Sequence, residues 1–373
     1  MGDILSCQNA KKDKIKVALL SCTHGHARGY YWFVGSALFD VVAASVLADY
    51  RSRVFLERLD GVDLFDNDEA MLDAHPEIEA VVMASANYMH PSQFKLCFER
   101  GIHVLSMKIP TLQLDKYKEI LDLQKKYNTK CFIELEMRAS SEVLRLKELL
   151  ESGKIGNVSS FAAWNLSHNP MWWLPWHGIP EESYGMRIPI TPESKIFRGG
   201  ALTDHPHIFD AIQYILSDTI DEVYAESAPN MRNAEVEDFA FIIGRMKNGV
   251  SFSLDPSYSR TENPADVIGP GWEQYPKRVE VNMSVFGDRG YILSDVYGNW
   301  IHHTGRPNHN YVSARCGGRS EPRVKVSEAF YDYIRGNGCS PITLEEHYKT
   351  MCIIDAAYQS MYERKPIKVN YDR

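Results

Sequence analysis

Lys108 stands in the short run "IHVLSMKIP", in which a β-branched, mostly apolar stretch leads into a single cation. An ammonium at the buried end of a strand is costly unless an anion or a ligand meets it. Far along the chain, "RGGALTDHPHIFDAI" spaces Asp204, His207 and Asp210 along one side of the helix they are expected to begin. An ammonium, a carboxylate and an imidazole brought together supply what alcohol oxidation requires. A base takes the hydroxyl proton as hydride leaves, and a cation steadies the developing carbonyl oxygen. In this reading Lys108 polarises the reacting oxygen, His207 is the general base, and Asp204 orients His207 or the substrate. Helix capping by Asp204 or Thr203 accounts for one residue, but poorly for Asp204 and His207 together. Asp204, His205 and His207 with Glu136 also offer nitrogen and oxygen metal ligands. No spacing template fits them, and His205 points about a quarter-turn away from Asp204 on a helix, so no metal is expected.

Such a centre needs an electron acceptor, and the N-terminal stretch "KIKVALLSCTHGHARGYY" has the outline of a dinucleotide-binding strand and turn without its glycines. Ser21, Thr23, His24 and His26 stand where a glycine-rich loop would approach a pyrophosphate, while Gly25 and Gly29 are out of register. Hydroxyls donate to phosphate, and a following helix N-terminus presents free N–H groups. A strand-to-helix turn with no ligand is the competing reading. Asp49, placed at the end of the second strand in "VLADYRSR", suits the adenosine ribose hydroxyls and favours NAD over NADP. Arg51 and Arg53 blur that preference, and helix capping is the alternative. Ser85, Asn87 and His90 in "VVMASANYMHPSQF" fall at the same crevice as Lys108. For the substrate wall the candidates are Arg138, Trp172 and Trp173 from the aromatic loop "SHNPMWWLPWHGIP", Asp255 and Tyr258. An aromatic face stacks on the C–H face of a sugar, although packing in a core explains any single tryptophan. "NWIHHTG", with His302 and His303, reads as an ordinary turn.

These residues are positioned by two kinds of element order. Up to about Ile133, short apolar runs ("IKVALL", "VVAASVLAD", "IEAVVMAS", "IHVLSM", "TKCFIEL") alternate with amphipathic segments. That pattern predicts parallel strands covered on both faces by helices, a doubly wound α/β sheet with its ligand crevice at the strands' carboxyl ends. After the helix in "RASSEVLRLKELLESGKIGNV", strands follow one another: "VSSFAAWNL", "DEVYAESA", "DFAFIIGRM", "GVSFSLDPSY", "RVEVNMSVFG" and "GYILSDVYG". They predict an open, largely antiparallel sheet in an α+β domain, with "GGALTDHPHIFDAIQYILSD" and "LEEHYKTMCIIDAAYQSMYERK" as its helices. The expected division is 1–137 and 138–373.

Composition narrows the partners. The 373 residues are 44% hydrophobic and 24% charged, enough for two ordinary cores. A formal charge of -8 argues against a phosphate-backbone binder, so no nucleic acid is expected. The first residues lack the apolar segment of a signal peptide and no long apolar run follows, which predicts a cytoplasmic protein without a membrane partner. Seven cysteines, scattered and without a C-x-x-C pair, suggest buried thiols.

The blocks "HVLSMKIP", "MRASSEVLRLKELLESGKIGNV", "GGALTDHPHIFDAIQYIL", "VEDFAFIIGRMKNGV" and "PITLEEHYKTMCIIDAAYQSMYERKPIKV" resemble the glucose-fructose oxidoreductase and inositol dehydrogenase (Gfo/Idh/MocA) family, from Lys14 to about Val369. The resemblance implies an N-terminal Rossmann domain holding NAD or NADP. It also implies oxidation of a secondary hydroxyl of a sugar, sugar acid, cyclitol or glycoside, and a homodimer or homotetramer built through the C-terminal sheet. The family's Glu-Lys-Pro corresponds to Met107-Lys108-Ile109, matching the lysine alone. Its Asp-x-x-x-His pair corresponds to Asp204 and His207, with one residue fewer between them. The departures cluster at the cofactor and reactive centre, and the turn is read as rebuilt with Ser, Thr and His donors. Two other uses of the fold are a non-catalytic sugar- or nucleotide-sensing regulator, and an NAD- or metal-assisted glycoside lyase or hydrolase.

Overall fold

The computed structural model of the chain describes residues 13–22, 33, 36–46, 56–85, 87–167, 188–189, 197–227, 236–258, 279–298, 300–305, 309–314, 321–338 and 342–372. Thr23, His24, His26, Asp49, Trp172 and Trp173 lie outside these residues.

The first sheet is built from β1 (Ile15–Leu20), β2 (Phe39–Ser45), β3 (Asp63–Phe65), β4 (Ala80–Met83), β5 (His103–Met107) and β6 (Cys131–Glu134) in the order β3-β2-β1-β4-β5-β6, every pair parallel. The order reverses beside β1, so a crevice opens at the carboxyl ends of β1 and β4. β1 shows why the sheet is buried on both faces. Ile15, Val17 and Leu19 join one apolar cluster, while Ala18 and Leu20 join another. The second face is covered by α1 (Asp68–Ala74), α2 (His90–Glu99) and α3 (Leu114–Tyr127), which supply Met71, Phe94, Phe98, Tyr117 and Ile120. β2 runs to Ser45.

After α4 (Ser141–Glu151), capped by the Ser140 hydroxyl on the Val143 N–H at 3.3 Å, the chain enters a nine-stranded sheet. Its strands are β7 (Val158–Ser167), β10 (Ile220–Ser227), β11 (Ala240–Met246), β12 (Ser251–Asp255), β13 (Val279–Gly287), β14 (Tyr291–Asp295), β15 (Trp300–Gly305), β16 (His309–Ala314) and β17 (Ile367–Lys368). Only the β7–β12 pair is parallel. A separate two-stranded ribbon pairs β8 (Ile188–Pro189) with β9 (Phe197–Arg198). His302 and His303 lie in β15, paired with β14 and β16, and not in a turn. Along β15 buried Ile301 and His303 alternate with half-buried Trp300, His302 and Thr304, a strand pattern too short to stand out in the sequence.

The expected helix "GGALTDHPHIFDAIQYILSD" is two helices, α5 (Ala201–Asp204) and α6 (His207–Leu216). Pro206 has no N–H to continue the ladder and its ring disfavours a helical residue before it, so His205 ends one helix and His207 starts the next. Asp204 and His207 therefore do not share one helix face. Two further helices close the fold, α7 (Glu321–Ile334) and α8 (Leu344–Glu363), the latter begun by a reciprocal Thr343–Glu346 capping box. Val326, Phe330, Tyr331 and Ile334 of α7 pack on the β1–β2 face of the first sheet, although a division at residue 137 assigns them to the second half. The other cluster runs without interruption from α1–α3 through α4, α6 and α8 to the second sheet. There are two cores, but they are separated by the first sheet's two faces. Among the described residues no helix is long and apolar enough to cross a membrane.

Candidate active site

Lys108 follows β5 directly, and its ammonium meets Asp204 at the end of α5. Nζ lies 3.1 Å from Asp204 Oδ1 and also donates to the Asp204 carbonyl. The residues are only 7% and 2% exposed, so the lysine predicted to need an anion has one, drawn from the other half of the chain. The Lys108–Ile109 peptide is cis. The carbonyl of Ile109 is held by His90, whose Nδ1 is 2.8 Å away, while Nε2 lies 3.2 Å from the Ser85 carbonyl. Burial pulls the His90 pKa down to about 4, against both carbonyls, which favour the charged ring. A neutral ring has one N–H to give, and the shorter contact with Ile109 takes it. His90 was expected to face the cofactor. The structure buries it completely, as a brace between the loops after β4 and β5.

The two histidines beside Asp204 have different surroundings. His205 is 4% exposed, with Nδ1 2.8 Å from the Pro256 carbonyl and Nε2 2.9 Å from Ser167 Oγ. A neutral ring donating to the first and accepting from the second satisfies both nitrogens. Burial lowers its pKa further, with Asp204 opposing and Lys108 adding to the effect. His205 is thus locked neutral, and its edge meets the ring of Tyr258 at 5.4 Å. His207 begins α6 and is 7% exposed. Among the described residues, no group of three or more His, Cys, Asp or Glu is arranged to hold a metal ion.

The substrate-wall candidates divide. Asp255 ends β12 and accepts from the Ser257 hydroxyl and the Ser257 N–H, and Tyr258 is fully buried behind His205. Arg138 does not face this centre. Its guanidinium donates to Asp210 at 2.6 and 2.7 Å, lies over the Tyr214 ring, and comes within 3.7 Å of Glu346. Asp210, which the sequence set in line with Asp204, is turned toward that pair because α6 starts afresh after Pro206.

At the carboxyl ends of β1 and β2, a cavity of about 310 Å³ is bordered by Ser21, Val46, Asp68, Met89 and Gln93. Asn87, in the single turn following β4, is 4% exposed and its Oδ1 has no hydrogen-bond partner among the described residues. A buried acceptor left open at a strand-end crevice suits a hydroxyl of a bound ligand. The cavity, the open Asn87 oxygen and the Lys108 ammonium lie along one carboxyl edge, and together they fit a dinucleotide. Ser21 and Ser85 were expected to donate to it. The Ser21 hydroxyl is turned onto Asp68 and the Ser85 hydroxyl onto Gln93 Oε1, so both are already engaged.

Sequence reasoning missed Asp68, Gln93, Ser45 and Glu237. Glu237 is 9% exposed; its Oε1 accepts from the Leu202 N–H and from the Tyr358 hydroxyl, each at 2.9 Å, and its carbonyl accepts from the Ala201 N–H at 3.0 Å. It thereby anchors the start of α5, whose last residue is Asp204. A Cβ on Gly200 would lie 2.0 Å from the Glu237 carbonyl, so only glycine allows this approach. Burial pushes the Glu237 pKa up to about 7.

Comparison with known proteins gives the same architecture. The model of the oxidoreductase family GFO/IDH/MocA, with NAD-binding Rossmann fold, matches residues 28–135, and that of the GFO/IDH/MocA C-terminal domain matches 143–293. Myo-inositol 2-dehydrogenase of Thermotoga maritima is 26% identical over 260 residues, 68% of this chain and 67% of its own. The WlbA dehydrogenase of Bordetella pertussis, solved with NADH and UDP-GlcNAcA, superposes with TM-score 0.75 at 17% identity over 97% of this chain and 99% of that one. An oxidoreductase of Agrobacterium radiobacter, solved with NAD+, L-tartaric acid and magnesium, gives 0.74 at 18% identity over 95% and 98%. With both family models matched in order, a Rossmann-ordered sheet and a second, mostly antiparallel one, the chain belongs to the GFO/IDH/MocA family of oxidoreductases.

Proposed function

We propose that this oxidoreductase oxidises a secondary hydroxyl of a sugar, sugar acid, cyclitol or glycoside at the Lys108–Asp204 pair, with NAD as cofactor. The observation that carries the reading is the ion pair itself, a buried ammonium at the end of a dinucleotide-sheet strand held 3.1 Å from a carboxylate of the second half. When bound, the nicotinamide supplies the acceptor for the hydrogen leaving the carbinol carbon. Lys108 donates to the reacting oxygen and lowers the energy of its developing negative charge. Asp204 fixes the direction of the ammonium, and Glu237 fixes Asp204 through α5. The hydroxyl proton passes to His207, the imidazole that opens α6 three residues beyond Asp204. Asn87 would hold the cofactor through its open Oδ1, while Asp255 would form part of the substrate wall and Tyr258 would back it from behind His205.

Among the described lining residues of the cavity beside β1 and β2 are three carboxylates, Asp66, Asp68 and Glu69. Their charge supports NAD over the additional phosphate of NADP. Trp164, Phe241, Ile243 and Phe286 stand 37–56% exposed on the outer face of the nine-stranded sheet, which fits assembly of two or four copies through that face. Buried thiols at Cys97, Cys131 and Cys352 accord with a cytoplasmic setting.

The test is absorbance at 340 nm with NAD+ and a panel of sugars, sugar acids and cyclitols, for the parent and for Lys108→Ala. The reading requires NADH formation that Lys108→Ala abolishes while NADH binding persists. Turnover in the variant within a few-fold of the parent would remove Lys108 from the chemistry.

A further inference from the structure

We propose that Asp68 replaces the missing glycine fingerprint as the positioning residue that fixes the first turn of the cofactor crevice; this rests on the NAD-binding reading of that crevice. Ser21 is the first residue beyond β1, at φ +44°, in the left-handed region that glycine occupies freely and other L-residues seldom do. Its conformation is held from outside. The Ser21 N–H donates to Ser45 Oγ at 2.8 Å, and its hydroxyl hydrogen is shared between the two Asp68 oxygens, each 2.7 Å away. The Ser45 hydroxyl donates to the same carboxylate at 2.5 Å, and Cys22 N–H donates to the Ser45 carbonyl at 2.9 Å.

A third donor to Asp68 is Gln93 Nε2 at 2.7 Å, and Gln93 Oε1 accepts from the Ser85 hydroxyl. One carboxylate therefore ties together the ends of β1 and β2 and, through Gln93, the segment after β4. These are the three edges that enclose the crevice. A bland account makes Asp68 a favourable acid in the first turn of α1, but the cap there is already provided by Asn67, whose Oδ1 accepts from the Ala70 N–H at 2.9 Å. Asp68, Gln93 and Ser21 also border the cavity of about 310 Å³, so the network faces the ligand side of the sheet. The hydroxyl that would otherwise serve a phosphate serves Asp68, and the strand-to-turn geometry is set by an acceptor outside the turn.

The consequence is a specific rescue. Without the carboxylate, Ser21 loses its hydroxyl tether and Ser45 loses the acceptor that orients its own contact with the Ser21 N–H, whereas a glycine there needs no tether. Full-length parent, Asp68→Ala, Ser21→Gly and the double variant are titrated with NADH by its fluorescence, with thermal melts to verify folding. Asp68→Ala is expected to weaken NADH binding at least about tenfold, Ser21→Gly alone to stay within about threefold of the parent, and the double variant to return to within about threefold. If Asp68→Ala does not fold, Asp68→Asn replaces it with the same comparisons. Affinity within twofold of the parent in the Asp68 variant, or no recovery when Ser21→Gly is added, overturns the inference. A parent that binds no NADH overturns the cofactor reading instead.

Discussion

Replacing Lys108 by Met removes the ammonium and leaves the Asp204 carboxylate 2% exposed, with neutral His205 Nε2 4.0 Å away. Breaking a buried pair from one side costs about 3–5 kcal/mol, because the charge left behind stays buried without the opposite charge that offset its desolvation. At about 1.4 kcal/mol per tenfold, the folding equilibrium should fall by roughly two to three and a half orders of magnitude. The double change Lys108→Met with Asp204→Leu removes both charges and should recover to within about 1–2 kcal/mol of the parent. Urea unfolding at pH 7.5, followed by tryptophan fluorescence and far-UV circular dichroism, measures these differences where the two signals coincide. These two variants and Asp204→Leu alone, the second single of the cycle, should all lack activity. A loss below about 1 kcal/mol in Lys108→Met, or a double variant as unstable as the sum of the singles, would refute the claim that the two charges are coupled and buried.

Other outcomes follow from the same geometry. Burial holds His90 at about 4 and His347, fully buried in the first turn of α8, at about 3, below the ordinary 6.5, so the folded state binds fewer protons than the unfolded one between those values. Their contribution is complete above pH 6.5 and is lost as pH falls toward 4. Melts across that range should steepen by up to about two protons, and His90→Gln should remove about one. Glu237 is shifted the other way, to about 7, so its contribution is present below pH 4.5 and lost as pH rises through 7. Glu237→Gln keeps an acceptor for the Leu202 N–H and the Tyr358 hydroxyl, and should erase a decline of about 3 kcal/mol between pH 4.5 and 8 in urea titrations. Arg138→Met should cost about 3 kcal/mol by stranding Asp210 while leaving KM for every accepted substrate unchanged. A KM rise without loss of stability would return Arg138 to the substrate wall.

Much of this arrangement is legible in the chain because the strongest signals are local. Ile15, Val17 and Leu19 alternate with Ala18 and Leu20 to opposite clusters, as expected for a parallel strand covered on both faces. Lys108 stands out because a cation after a buried strand demands a partner, and Asp204 supplies it. What the chain conceals depends on long-range pairing or on a single breaking residue. Periodicity carried Asp204 and His207 onto one helix, and Pro206 separates them. Asp68 reads as an ordinary first-turn acid, because nothing nearby in sequence announces Ser21, Ser45 or Gln93 as its donors. Glu237 is equally silent, since its partners come from α5 and α8. The α7 helix is equally unannounced, because strands dominate the sequence before it, yet it packs on the first sheet.

The most direct test of the central claim follows an isotope. A substrate from the panel, deuterated at the carbinol carbon, is turned over with NAD+ by the full-length protein, and the NADH formed is analysed by mass spectrometry. Direct transfer at the Lys108 centre predicts one deuterium in every NADH produced and none in the solvent. Unlabelled NADH, or label appearing in water, would contradict it.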